Sequence, residues 1–141
     1  LQKQSPLLTL HKNILLTEIA YTMAPANLEE MAFNIITQGY QPILAHPERY
    51  FFYHNDYDAY YRLKELGFHL QVNLLSLTGY YGKGVAKAAK FILKKDLAQL
   101  VGTDLHHGRH LAALQDKGNG VIFQEHLRGK EFNDLDNLFI N

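Results

Sequence analysis

Short apolar runs alternate with longer amphipathic stretches along this chain, four times over. Residues 13–19 form an Ile- and Leu-rich run broken by Glu18. Asn27 then suits an N-cap, and 28–38 carries Leu28, Met31, Ala32, Ile35 and Ile36 at helical spacing up to a stop at Gly39. Residues 41–45 predict a second strand, and 56–66 a second helix ended by Gly67. Residues 68–74 alternate like a strand, 84–94 predict a Lys- and Ala-rich helix, 97–102 a fourth strand, and 110–116 the start of another helix. Past Gly118-Asn119-Gly120, residues 121–127 predict a helix and 132–140 a weaker amphipathic segment. Regular β-α alternation places the chain in the α/β class, with parallel strands joined by right-handed crossovers. Four strands can make a small sheet with helices on both faces, whereas a closed barrel needs about seven or eight. Residues 1–12, with Pro6 and Leu7-Leu8-Thr9-Leu10, read as a lead-in from structure outside the chain.

Two of the predicted strands end in unusual chemistry. Ala45-His46-Pro47-Glu48-Arg49-Tyr50 follows one, and Gly102-Thr103-Asp104-Leu105-His106-His107 follows another. Both place His, Asp and Arg at the C-terminal ends of strands, the edge where α/β proteins keep their sites. His and carboxylate gathered there form a ligand set for a divalent metal, and a neighbouring Arg suits an anionic substrate. Each residue also has a plainer reading. His46 could be a turn histidine, Asp104 the cap of the next helix, and Glu18 a surface residue on a half-exposed strand. Arg49 could pair with Glu48 or Glu65. An Asp ending an apolar strand is costly unless paired, capping or metal-bound, and two such sites at one edge reinforce each other.

Other features read as structural. His107 could support His106 or touch substrate but reads better as a solvent residue, and His11, His54, His69, His110 and His126 have no supporting neighbours. Tyr50-Phe51-Phe52-Tyr53 with Tyr57, Tyr60 and Tyr61 is an aromatic cluster better suited to packing than to stacking on a ligand. Gly79-Tyr80-Tyr81-Gly82-Lys83-Gly84 fits neither phosphate-loop pattern and reads as a turn leading into a helix N-terminus, a place that could still bind an anion.

Composition narrows the chemistry. With 141 residues, 47% hydrophobic and 20% charged, the chain can build one ordinary globular core. Fourteen basic residues balance 14 acidic ones, so no basic field argues for nucleic acid or a membrane surface. No apolar run approaches the roughly 20 residues of a membrane span. Cys is absent, which fits a reducing compartment and excludes any phosphocysteine mechanism.

A set of ordered motifs carries a family resemblance. Gly39-Tyr40-x-Pro42-x-Leu44-Ala45-His46-Pro47-Glu48-Arg49-Tyr50 comes first, then Gln71-Val72-Asn73 with Ser76-Leu77-x-Gly79-x-x-Gly82, then Thr103-Asp104-Leu105-His106. Over roughly residues 7–115 these resemble the bacterial polymerase-and-histidinol-phosphatase (PHP) family. Within it they are most similar to the manganese-dependent protein-tyrosine phosphatases of capsular and exopolysaccharide operons. The resemblance implies parallel βα units from a distorted (β/α)7 barrel, with metal ions at its C-terminal rim. It implies Glu18, His46, Asp104 and His106 as metal ligands and Arg49 as the residue over the substrate phosphate. The metal is expected to be manganese, with iron, cobalt or zinc as alternatives.

The family's opening His-x-His, its second-strand His and its third-strand Glu have no counterpart here. Residues 1–141 are therefore expected to be the C-terminal part of a single PHP-type domain whose N-terminal half is missing. Alone, such a piece should be inactive and prone to associate through open sheet edges. The substrate the resemblance implies is the phosphotyrosine tail of a bacterial tyrosine kinase that controls polysaccharide export, with the protein itself in the cytoplasm and copies of the chain as further candidate partners. Two other readings stay open: a PHP phosphatase of a small metabolite such as histidinol phosphate, and a non-catalytic module binding metal or anions.

Overall fold

The structure, a computed structural model, describes residues 13–18, 27–102 and 115–132. Strands β1 (Ile14–Thr17), β2 (Gln41–Ala45), β3 (His69–Asn73) and β4 (Ala98–Gly102) form one parallel sheet in the order β1-β2-β3-β4. Helices α1 (Leu28–Thr37), α2 (Asp58–Leu66) and α3 (Lys83–Lys94) lie between successive strands, and α4 (Lys117–Leu127) follows. The register pairs Leu44 with Thr17 and with Leu70, and Asn73 with Gly102, so the C-terminal strand ends fall along one rim.

Strictly sequential strands joined by right-handed crossovers place their helices on one side of the sheet. The packing agrees. Ala32 of α1, Tyr60 and Leu63 of α2, and Ala88, Ala89 and Ile92 of α3 share one buried cluster with Leu44, Leu70 and Val72. Ile14, Ile43 and Leu100 form a separate small cluster. Because Ile43 and Leu44 alternate along β2, the two clusters occupy opposite faces. Among the described residues the helices cover one face of the sheet, which is the arrangement of a barrel sector. Among the described residues, no helix is long and apolar enough to cross a membrane.

Where boundaries differ from the pattern, local hydrogen bonds decide. β1 ends at Thr17, so Glu18 sits just past the strand rather than within it. The second helix begins at Asp58; Asp56 belongs to the preceding turn, and its carboxylate pairs with Arg62 at 2.6 Å. β3 stops at Asn73, whose Oδ1 accepts the Leu75 N–H at 3.1 Å and starts a 3-10 turn over Leu74–Thr78. α4 begins earlier than its apolar residues suggest. The Asp116 carboxylate accepts the Asn119 N–H at 3.1 Å, and this cap carries the helix through Gly118-Asn119-Gly120. Residues 110–114 and 133–140 of the other predicted segments lie outside the described residues.

Candidate functional site

The rim begins at the end of β2. His46 leaves the strand with φ 37° and ψ 60°, a left-handed conformation uncommon for a residue with a Cβ. It is held there by its own N–H, which donates to the Gln71 carbonyl at 2.7 Å, and by Arg49, whose N–H donates to the His46 carbonyl at 3.0 Å. Pro47 opens the short 3-10 turn Pro47–Arg49 that follows. The turn sends the buried His46 ring back across the strand ends, tilted against Tyr50 at 5.6 Å. Its Nε2 lies 3.6 Å from Oε2 of Glu18, whose side chain is 60% exposed. Glu18 and His46 line a cavity of about 140 Å³ together with Ala45, Gln71, Asn73 and Gly102. A Cβ at Gly102 would run into the Gln71 side-chain amide, so the glycine lets that side chain pack across the end of β4.

Behind this rim lies a buried carboxyl that the motif reading gave no specific role. Glu48 is fully buried, and its Oε2 accepts the Asn73 N–H at 2.9 Å and the Ser76 hydroxyl at 2.6 Å. Its carbonyl pairs with His54 Nε2 at 2.7 Å. Burial pushes the Glu48 carboxyl up to about 7, against the opposing pull of the Ser76 and Asn73 hydrogen bonds and the Arg49 charge. The loop after β2 is thereby fastened to the loop after β3. Asn73 and Ser76 were visible only as members of the ordered motif, and the signal for their role was the Glu inside His-Pro-Glu-Arg. Glu48 Oε1 and Asn73 Nδ2 are buried without hydrogen-bond partners among the described residues.

Arg49 turns the other way. Its guanidinium carbon sits 4.0 Å from the centroid of the Tyr81 ring. The aromatic residues that follow pack as expected of a core: Tyr60 meets both Tyr53 and Tyr57, and Tyr57, Tyr60 and Tyr61 meet Phe91. His54 stacks edge-on with Phe51 and supports the Glu48 backbone, a structural role.

Of the expected metal ligands, Glu18 and His46 come together, while Asp104 and His106 lie outside the described residues. Two donors held about 2.1 Å from one ion at a roughly tetrahedral angle stand about 3.4 Å apart. The observed 3.6 Å between His46 Nε2 and Glu18 Oε2 therefore suits a shared divalent ion, and a neutral imidazole beside a carboxylate is the right donor chemistry. Among the described residues no third His, Asp or Glu joins this pair. Thr103-Asp104-Leu105-His106 continues directly from Gly102, which itself lines the cavity.

Comparison with known proteins gives one coherent picture. The chain is 28% identical over 93 residues to the tyrosine-protein phosphatase YwqE of Bacillus subtilis, a match covering 66% of this chain and 37% of that protein. It is 32% identical over 79 residues to the tyrosine-protein phosphatase CpsB of Streptococcus pneumoniae, covering 52% of this chain and 32% of that one. The chain thus spans about a third of the length of these curated relatives. Its fold matches a crystal structure from a study of YwqE and CpsB as metal-dependent tyrosine phosphatases, with a TM-score of 0.67 and 22% identity. That match covers 89% of this chain and 57% of the other. The family model for capsular polysaccharide synthesis proteins, CpsB/CapC, matches residues 1–124. The chain belongs to the CpsB/CapC capsular polysaccharide synthesis family.

Proposed function

We propose that the protein is a metal-dependent protein-tyrosine phosphatase of capsular or exopolysaccharide biosynthesis, with residues 1–141 forming the C-terminal part of a single phosphoesterase domain. The observation that carries this reading is the approach of His46 to Glu18 at the C-terminal rim, with Arg49 on the same loop. Relatives named as tyrosine-protein phosphatases support it.

In this reading His46 and Glu18 hold metal, and Asp104 and His106 complete their share of the ligand set. Divalent ions, with manganese as the proposed occupant, polarise phosphoryl oxygens and lower the pKa of water. Arg49 offers a planar pair of N–H donors to the phosphoryl oxygens and balances charge as the ester bond breaks. Glu48 keeps the loop bearing His46 and Arg49 tied to Asn73 and Ser76. Gly102 makes room for the Gln71 side chain, which lines the same cavity.

The proposed substrate is the phosphotyrosine-bearing tail of a tyrosine kinase controlling polysaccharide export, met in the cytoplasm. The test uses the protein at its full natural length, loaded with manganese. Turnover of a phosphotyrosyl peptide well above that of histidinol phosphate, abolished by a chelator, is expected. Preference for histidinol phosphate would overturn the substrate assignment. A protein that keeps no metal through dialysis and turns over neither ester would be a binding module instead.

A further inference from the structure

The loop between β3 and α3 contributes more to this rim than the hydrogen bonds to Glu48. Adjacent residues of the β2 loop reach it in two ways. Glu48 turns inward to Asn73 and Ser76, while the half-buried Arg49 lays its guanidinium 4.0 Å from the centre of the Tyr81 ring. Tyr81 is itself held in place. Gly79 and Gly82 take φ values of +86° and +114°, and the Gly82 N–H donates to the Gly79 carbonyl at 2.9 Å. A Cβ at either glycine would meet nothing within 4 Å, so backbone conformation rather than space calls for glycine there. The Tyr80 N–H donates to Thr78 Oγ1 at 3.2 Å, and the Tyr80 ring stands edge-on to Tyr81 with centroids 5.0 Å apart.

An arginine side chain loses rotamer freedom when fixed, and it recognises a phosphoryl group best when its plane is set in advance. A ring under one face of the guanidinium sets that plane. The N–H donors lie in the plane rather than on the stacked face, so stacking leaves bidentate geometry intact. Tyr81 thus lies where it can fix the orientation of Arg49 from a different loop.

We propose that Tyr81 is a positioning residue: its ring stacks on Arg49 and pre-orients the guanidinium for the phosphoryl group of the substrate. This rests on the phosphatase reading above. It gives the Gly79-Tyr80-Tyr81-Gly82 turn, which fits no phosphate-loop pattern, a part in phosphate recognition without touching phosphate.

The test is a double-mutant cycle in the manganese-loaded, full-length protein, assayed with a phosphotyrosyl peptide. Tyr81→Leu should lower kcat about 10-fold, as loss of one oriented stack predicts, with metal content unchanged. Tyr81→Phe, which keeps the ring, should restore most of that loss. On an Arg49→Ala background, Tyr81→Leu should cost nothing further. Equal losses on both backgrounds, or no loss on the wild-type background, would overturn the proposal. A second readout needs neither activity nor a variant that folds. The Arg49 side-chain N–H resonance of the wild-type protein should be shifted upfield by the Tyr81 ring current, and an unshifted resonance would refute the stack. A wild-type protein lacking phosphatase activity but showing that shift would sink the phosphatase reading while leaving the stack in place.

Discussion

Glu48 offers the sharpest energetic test, because its surroundings specify both a gain and a cost. Its carboxylate satisfies the Asn73 N–H and the Ser76 hydroxyl inside a fully buried site. Glu48→Ala leaves both donors unpartnered, at about 1–3 kcal/mol each, so a loss of about 3 kcal/mol is expected at pH 5. The charge pulls the other way. Burial raises the carboxyl from 4.5 to about 7, so between those values the folded protein keeps a proton that the unfolded chain has released. Stability therefore falls as pH rises through that window, by about 3 kcal/mol in all, and stays lower above it. Glu48→Gln keeps an oxygen for both donors and carries no charge. It should match the wild type near pH 4.5 and exceed it by about 3 kcal/mol at pH 8. Urea unfolding of the metal-free protein, followed by tyrosine fluorescence from pH 4.5 to 8, gives the difference directly, since every other titrating group cancels between the two. A difference that stays flat across that range would mean that the Glu48 carboxyl keeps its ordinary acidity in the folded protein.

Three further outcomes follow from the same geometry. Arg49→Ala should lower turnover by about 10²-fold with metal content near normal, measured by steady-state kinetics beside elemental analysis; equal loss of metal would make Arg49 structural. Gly67, at φ +109°, ends α2, and a Cβ there would lie 2.6 Å from Ile36 Cδ1. Gly67→Ala should cost about 1–2 kcal/mol of stability by denaturant unfolding, and an unchanged midpoint would show that the chain relaxes freely there. Glu18→Ala should weaken metal binding in a titration followed by calorimetry, as removal of one ligand does, and wild-type affinity would return Glu18 to the surface role its exposure also allows.

Much of this architecture is legible in the sequence because buried parallel strands and amphipathic helices have different periods. Pro42-Ile43-Leu44-Ala45 could only be an interior strand, and Gly39 and Gly67 mark the ends of α1 and α2 as their positions suggest. Ends set by side chains were harder to read. The Asp116 cap starts α4 across two glycines, and Asn73 ends β3 by bonding two residues ahead. At the site, His46 and Arg49 stood out because strand-end His and Arg have few bland uses together. Glu48 and Tyr81 did not, since their roles arise from contacts across loops: Glu48 with Ser76, and Arg49 with Tyr81. Such partners are 28 residues apart in the first case, and no local pattern announces them.

The central claim is that the strand-end His and acidic residues bind metal. Elemental analysis of the full-length protein and its His46→Ala, Asp104→Ala and His106→Ala variants, each dialysed under the same conditions, tests it most directly. Bound metal in the wild type and a clear loss in each variant is the predicted result. Wild-type stoichiometry in all three variants would contradict the metal-site assignment and, with it, the proposed chemistry.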